Sequence, residues 1–268
     1  MRNESAIFPL VGLLLVLLLL LPNASRADDP WRGKVAIITG SSSGLGYELA
    51  KIAAAKDMRL VLADINLQPS AEFATRVLAE GGEAVALEVD LADRSQRGRV
   101  VETALEHFGT VDYLFNNAGY SYLATLEQMD VDMAQHLFEV NYWAYVDLAQ
   151  QVIPIMKEQG SGSILNVVSI LAHRSAPPGT GHYAASKAAL VGIFQAAAQE
   201  LEPYGIRVFL ASPAGMRTNI ARNSVGPLAE GRRDRADDWE PPEIAAADIF
   251  AAMLEDEVLF FPGFVEGP

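Results

Sequence analysis

The chain has 268 residues, is 50% hydrophobic, and carries a formal net charge of −14 and no cysteine. That length and apolar content suit one large α/β domain or two small ones and exclude a disordered chain. The acidic balance excludes a phosphate-backbone partner such as nucleic acid, and the absent cysteines exclude disulfides, thiolate catalysis and cysteine zinc sites.

Residues 6–21 are almost uninterruptedly apolar, preceded by Arg2 and followed by Pro22 and by Ser25-Arg26-Ala27, which has small residues where a signal peptidase requires them. Residues 1–27 therefore read as a signal peptide or, uncleaved, as a membrane anchor. As a helix, residues 6–21 rise only about 24 Å, short of the roughly 30 Å hydrocarbon core, so spanning would need bilayer thinning or snorkelling.

From Lys34 onward, short β-branched runs alternate with longer helical segments, the pattern of a parallel sheet covered on both faces. Strands are predicted over 34–39, 59–64, 84–89, 111–115, 162–169, 206–211 and 257–261, and helices over 45–55, 71–80, 97–108, 132–157, 183–202 and 243–254. Seven such strands imply a doubly wound parallel sheet in a single domain, residues 28–268. The irregular stretch at about 217–239 follows strand six, where it is placed to cover a substrate.

Thr39-Gly40-Ser41-Ser42-Ser43-Gly44-Leu45-Gly46 joins the first strand to a helix. Its glycines let the chain turn tightly and a pyrophosphate approach, while the helix N-terminus offers N–H donors. Strand two ends in Asp64, eighteen residues beyond Gly46, where a carboxylate accepts from two ribose hydroxyls and repels a 2′-phosphate. This favours NAD over NADP, and Arg59 lies at the wrong end of that strand to recruit a phosphate. Asn116-Asn117-Ala118-Gly119 forms a small polar turn after strand four, where an asparagine amide can tie neighbouring strands. His107, His136, His173 and His182 show no metal-ligand spacing, so no metal site is expected. Tyr183 and Lys187 stand four apart on a helix and share a face. A nearby ammonium favours the phenolate, which makes this pair a candidate acid/base; alone, the spacing equally fits a packed ring beside a solvated amine.

In order and separation, Thr39-Gly40-x3-Gly44-x-Gly46, Asn116-Asn117-Ala118-Gly119, Asn141, Ser169 and Tyr183-x3-Lys187 resemble the classical short-chain dehydrogenase/reductase family, over about residues 33–261. The resemblance implies a Rossmann-like domain, a nicotinamide cofactor and reversible oxidation of an alcohol to a carbonyl; Tyr120, Tyr122, Trp143 and the stretch after Thr218 suit a secondary alcohol or ketone of moderate hydrophobicity. Carried over, Tyr183 is the acid/base, Lys187 lowers its pKa and holds the nicotinamide ribose, Ser169 binds the substrate oxygen, and Asn141 holds a water in the proton relay. The implied cofactor set adds Ser42, Ser43, Leu45, Asp90, Leu91, Asn117, Ala118, Gly119, Pro213 and Thr218 to Gly40, Gly44, Gly46 and Asp64. Helices 132–157 and 183–202 resemble the family's oligomer surfaces, which implies a homodimer or homotetramer.

Two departures accompany the resemblance. The interval from Ser169 to Tyr183 is one residue longer than usual, so an ungapped match puts Ile170 in the serine position, whereas Asn166-Val167-Val168-Ser169 matches the family's strand end. Ala214 stands where the Pro-Gly-x-x-x-Thr element has glycine. Two other readings stay open: a nucleotide sensor without turnover, and an epimerase or dehydratase using the same cofactor. Cleavage after Ala27 would export the chain to a compartment poor in NAD, whereas an uncleaved anchor with a cytoplasm-facing domain suits the cofactor, so membrane association is expected.

Overall fold

The Val-Ala-Ile-Ile-Thr run of β1 (Val35–Thr39) is buried at every position because alternate residues serve opposite layers. Ala36 and Ile38 pack with Leu45, Leu49 and Phe250 on one face of the sheet. Val35 and Ile37 pack with Val100, Leu148 and Leu190 on the other. A strand covered on both sides reads as continuous apolar sequence, which is why alternation is missing from it.

The computed structural model describes residues 29–230 and 239–262. Along the chain, β1 is followed by α1 (Gly44–Ala55), β2 (Arg59–Asp64), α2 (Leu67–Ala79), β3 (Ala84–Glu88), α3 (Arg94–Phe108) and β4 (Tyr113–Asn116). The second half runs α4 (Val131–Phe138), a π turn (Glu139–Trp143), α5 (Ala144–Gln159), β5 (Gly162–Val167), α6 (Gly181–Leu201), β6 (Ile206–Ala211), α7 (Asn219–Arg222), α8 (Pro242–Leu254) and β7 (Leu259–Phe260). The strands form one parallel sheet in the order β3-β2-β1-β4-β5-β6-β7. α1, α2 and α8 cover one face, and α3, α5 and α6 the other. This is the seven-stranded, doubly wound, Rossmann-like architecture expected. The chain leaves β1 towards β2 and β3 and then returns to β4 on its other side, so a crevice opens beyond the carboxyl ends of β1 and β4. Trp31 closes the opposite end, with its ring 4.9 Å from those of Tyr113 and Phe250.

Several boundaries differ from the sequence reading for local reasons. α2 starts at Leu67 rather than 71 because Pro69 lies in its first turn, where a missing N–H is tolerated. β5 stops at Val167, since Ser169 accepts from Leu171 N–H and caps a 3₁₀ turn, Ile170–Ala172. The helix predicted over 132–157 is two helices joined by the π turn, in which Ala144 N–H donates to the Glu139 carbonyl five residues back. Buried Arg97 holds that carbonyl from outside at 3.3 Å and the Glu139 carboxylate at 2.6 Å. Apolar periodicity does not reveal a one-turn widening of this kind. Of the lid expected at about 217–239, α7 is described, with backbone pairings of Val225 to Tyr122 and of Met216 to Glu240 flanking it. Residues 231–238 and the segment 1–27 lie outside the described residues. Among the described residues no helix is long and apolar enough to cross a membrane.

Candidate active site

Gly40, with φ +68°, turns the chain out of β1, and Gly46 lies where a side chain has no room. A Cβ on Gly46 would run into the Gly40 carbonyl oxygen and the Asn117 amide. That amide is fixed, because Asn117 Nδ2 donates to Thr39 O at 2.9 Å and to Gly40 O at 3.3 Å. Gly46→Ala must break this tie or displace the turn, at a cost of about 1–3 kcal/mol. A melting temperature several degrees lower and a weakened nicotinamide dinucleotide titration are the expected results. At the head of α1, Ser43 makes no side-chain cap and the first turn holds no acidic residue, so nothing there opposes an anion.

Asp64 stands beside this turn at the end of β2. Its Oδ2 accepts from Ser42 N–H at 2.9 Å and its Oδ1 from Asn66 N–H at 2.8 Å, which orients the carboxylate and ties the glycine turn to the next strand. Across the switch point, Thr39 Oγ1 accepts from Asn117 N–H at 2.9 Å and Ala118 N–H at 3.1 Å. Asn116 Nδ2 donates to Asn166 Oδ1 at 3.0 Å, joining β4 to β5. Both asparagines of the turn thus tie strands together, as expected of them. Beyond β3, Asp90 Oδ1 accepts from Ala92 N–H at 2.9 Å and the Leu91 carbonyl receives Arg97 Nε at 2.8 Å. Arg97 therefore braces both the Asp90–Leu91 loop and the π turn.

Asn141 is fully buried in that π turn, not on a solvated helix face. Its Oδ1 accepts from Tyr120 N–H at 3.1 Å, and its Nδ2 donates to Tyr120 O at 3.0 Å and to Ser186 Oγ at 3.3 Å. The amide is satisfied by protein alone. Lys187, 2% exposed on α6, donates to Val167 O at 2.9 Å and to the Tyr145 hydroxyl at 3.2 Å, neither of them charged. Burial without a countercharge pulls its pKa down from 10.5 to about 7. Gly119 leaves the space this requires, since a Cβ there would lie 3.1 Å from Asn141 Oδ1 and 3.5 Å from Lys187 Nζ. Ser169 Oγ accepts Leu171 N–H at 3.2 Å, so its own O–H is left to donate elsewhere.

A cleft of about 730 Å³ runs along the carboxyl ends of the strands. Its walls include Gly40, Ser42, Ser43, Gly44, Leu45, Asp64, Asp90 and Leu91 at one end. Asn117, Ala118 and Gly119 lie at its middle, and Ser169, Tyr183, Lys187, Pro213 and Thr218 at the other end. Of the residues singled out in the sequence, Gly46 and Asn141 stand behind this surface, the first packing the turn and the second holding Tyr120. Ile170, the alternative to Ser169, lines the same cleft, and Thr218 packs over Gly44.

A family model described as short chain dehydrogenase matches residues 34–227. The chain belongs to that family. Among relatives, the dehydrogenase/reductase SDR family member 7B of Mus musculus is 33% identical over 237 residues, covering 87% of this chain and 72% of that protein. A short chain dehydrogenase/reductase from Burkholderia phymatum, solved in complex with NAD, superposes with a TM-score of 0.81 at 28% identity, covering 86% of this chain and 89% of that one. A short-chain dehydrogenase from Sphingobium yanoikuyae, solved in complex with NADPH, gives 0.75 at 26% identity, with 85% and 87% covered.

In this short-chain dehydrogenase, sequence reasoning missed three residues that shape the site. Thr39 was read only as the head of the glycine motif, without its tie to Asn117 and Ala118, and Arg97 acts through contacts that nothing in its own surroundings marks. Tyr145 did leave a signal, since it stands four residues after Asn141 and so shares its helix face. Tyr120 and His136 also line the cleft, joined at 2.8 Å between Tyr120 Oη and His136 Nδ1. Burial pushes the Tyr120 phenol up to about 12, so it stays protonated through the neutral range.

Proposed function

We propose that the protein transfers a hydride between NAD(H) and a secondary alcohol or ketone, with Tyr183 as the general acid/base. The observation that carries this reading is the seat of Lys187: a buried amine with two neutral oxygen partners, one helical turn from a phenol that faces the same cleft. Burying an amine without an anion is costly, and structures tolerate that cost at functional sites.

The walls of the cleft fit a nicotinamide dinucleotide. The glycine turn admits a close backbone approach, the uncapped start of α1 suits a pyrophosphate, and the Asp64 carboxylate suits a diol. When bound, NAD accepts the hydride from the carbinol carbon. In the oxidative direction the substrate hydroxyl gives its proton to the Tyr183 phenolate, and the oxygen, now a carbonyl, stays hydrogen-bonded to Ser169. Lys187, protonated while the phenolate persists, stabilises that anion and helps hold the cofactor ribose. Its depressed pKa belongs to the state with a neutral Tyr183, since forming the anion beside it raises it again. Reduction retraces the path.

The preference for NAD over NADP rests on the Asp64 carboxylate at the end of β2, which would accept from a ribose diol and repel a 2′-phosphate. Asp64→Ala is expected to weaken NAD about tenfold or more, the loss of charge-assisted hydrogen bonds, and to narrow the gap to NADP. Titrations of intrinsic fluorescence with both cofactors check this, and an unchanged ratio of affinities would refute the assignment. For the reaction itself, the protein is incubated with NADH or NAD and a mixture of ketones and alcohols, and the consumed compound is identified. Saturable NADH binding with no change in nicotinamide absorbance across the panel would count against turnover.

A further inference from the structure

Tyr145 is a buried polar side chain in contact with Lys187 to which the proposed reaction assigns no part. It is 1% exposed, on the first turn of α5, and all of its polar atoms are engaged. Its carbonyl receives Asn116 Nδ2 at 3.3 Å, and its hydroxyl donates to Ala118 O at 2.9 Å, with Val167 O at 3.4 Å. The same oxygen accepts from Lys187 Nζ at 3.2 Å, and Nζ lies 4.8 Å from the ring centroid. A phenol that already donates to a backbone carbonyl has only its lone pairs to offer the amine, so its orientation is settled before any ligand arrives.

We propose that Tyr145 is a positioning residue for the active-site ammonium: its phenol oxygen, fixed by the Ala118 carbonyl, accepts from Lys187 Nζ and holds the cation beside Tyr183. The inference rests on the reading of Tyr183 and Lys187 given above. Two i, i+4 pairs face one another here, Asn141 with Tyr145 on the segment through the π turn and Tyr183 with Lys187 on α6. Asn141 reaches Ser186, the neighbour of the lysine, while Tyr145 reaches the lysine itself. The titratable groups facing Lys187 are Tyr183 from its own helix and Tyr145 from α5. β5 presents the Val167 carbonyl, the turn after β4 presents Ala118 and Gly119, and Asn141 and Ser186 are neutral. Burial holds the Tyr145 phenol well above the ordinary tyrosine range, and the nearby Tyr183 adds to that direction, so Tyr145 stays a neutral acceptor.

A neutral acceptor has a consequence that a carboxylate would not. It steadies the ammonium without locking the proton on, so that the charge can follow the state of Tyr183. Removing the acceptor makes the ammonium less favourable, and the phenolate of Tyr183 loses part of its support.

The test is an ultraviolet difference titration of phenolate, which needs no substrate. The Tyr183 titration is isolated by subtracting Tyr183→Phe from the parent, and again by subtracting the double variant from Tyr145→Phe. Tyr145→Phe is expected to move the Tyr183 midpoint upward by about half to one pH unit, with the melting transition and NADH titration retained. In the Lys187→Met background the same change should move nothing. A folded Tyr145→Phe protein with an unshifted Tyr183 midpoint overturns the proposal, as does an equal shift without Lys187. If Tyr145→Phe does not fold, 3-fluorotyrosine at position 145 keeps the shape and weakens the acceptor, and a smaller upward shift is expected; no shift overturns the proposal. The outcome is separable from that of the parent reading: full turnover in Tyr183→Phe sinks the acid/base assignment, whereas an unmoved midpoint sinks only the role of Tyr145.

Discussion

Replacing Tyr183 by phenylalanine is expected to lower turnover by about 10²–10⁴-fold, the usual share of a positioned acid/base, while leaving cofactor affinity and thermal stability close to the parent. The change removes one hydroxyl from a ring packed against Leu171 and Ala184, and the ring itself keeps those contacts. The loss should appear in kcat and kcat/KM alike, because the proton transfer belongs to the transition state. Steady-state kinetics on the identified alcohol, beside an NADH titration, decide the matter. Near-parental kcat in the variant would remove Tyr183 from the chemistry.

Lys187→Met is expected to cost a similar order of activity and to make the protein more stable below neutral pH. The direction follows from linkage. Lys187 titrates at about 7 in the folded chain against 10.5 as its ordinary value, so between those values the folded state binds fewer protons than the unfolded one. The penalty of the buried charge is complete below pH 7 and is relieved as pH rises toward 10.5. Methionine removes the penalty and fills similar volume. The Val167 carbonyl loses its 2.9 Å donor and keeps only the Tyr145 hydroxyl at 3.4 Å, whose single proton goes first to Ala118 O, so part of the gain is offset. Melting curves should therefore show the variant above the parent at pH 6, with the gap closing by pH 9.5. A variant that melts lower at both pH values would show that the ammonium supports the fold and is not held against it. Stability gained as activity is lost is the pattern of a site kept strained for function.

What the sequence displayed depended on how far each signal had to reach. β1 and the glycine turn are local, because burial on two faces and φ > 0 leave marks on the residues themselves. Tyr183 and Lys187 were visible as an i, i+4 pair, but the pair acquires meaning only from Val167 and Tyr145, which come from β5 and α5. Arg97 had no legible signal at all: in the sequence it reads as one more charged position on a polar helix, and only folding brings it to Leu91 and Glu139. The π turn was hidden for a related reason, since the side chain that holds its Glu139 carbonyl comes from another helix.

The pairing of β1 with β4 joins Ile37 to Leu114, which are distant in the chain. A ribosome must therefore complete β4 before the glycine turn can receive Asn117, and must continue through Lys187 before the buried amine can meet Val167 and Tyr145. The end of the cleft from Gly40 to Leu91 comes from the early chain, whereas the end with Ser169, Tyr183 and Lys187 comes from the later one. Loop-closure entropy falls on the nascent chain well before the strand pairs that offset it exist, which favours slow folding and exposes apolar strands during synthesis. Completion of the cleft therefore waits on the pairings that bring β4, β5 and α6 to the glycine turn.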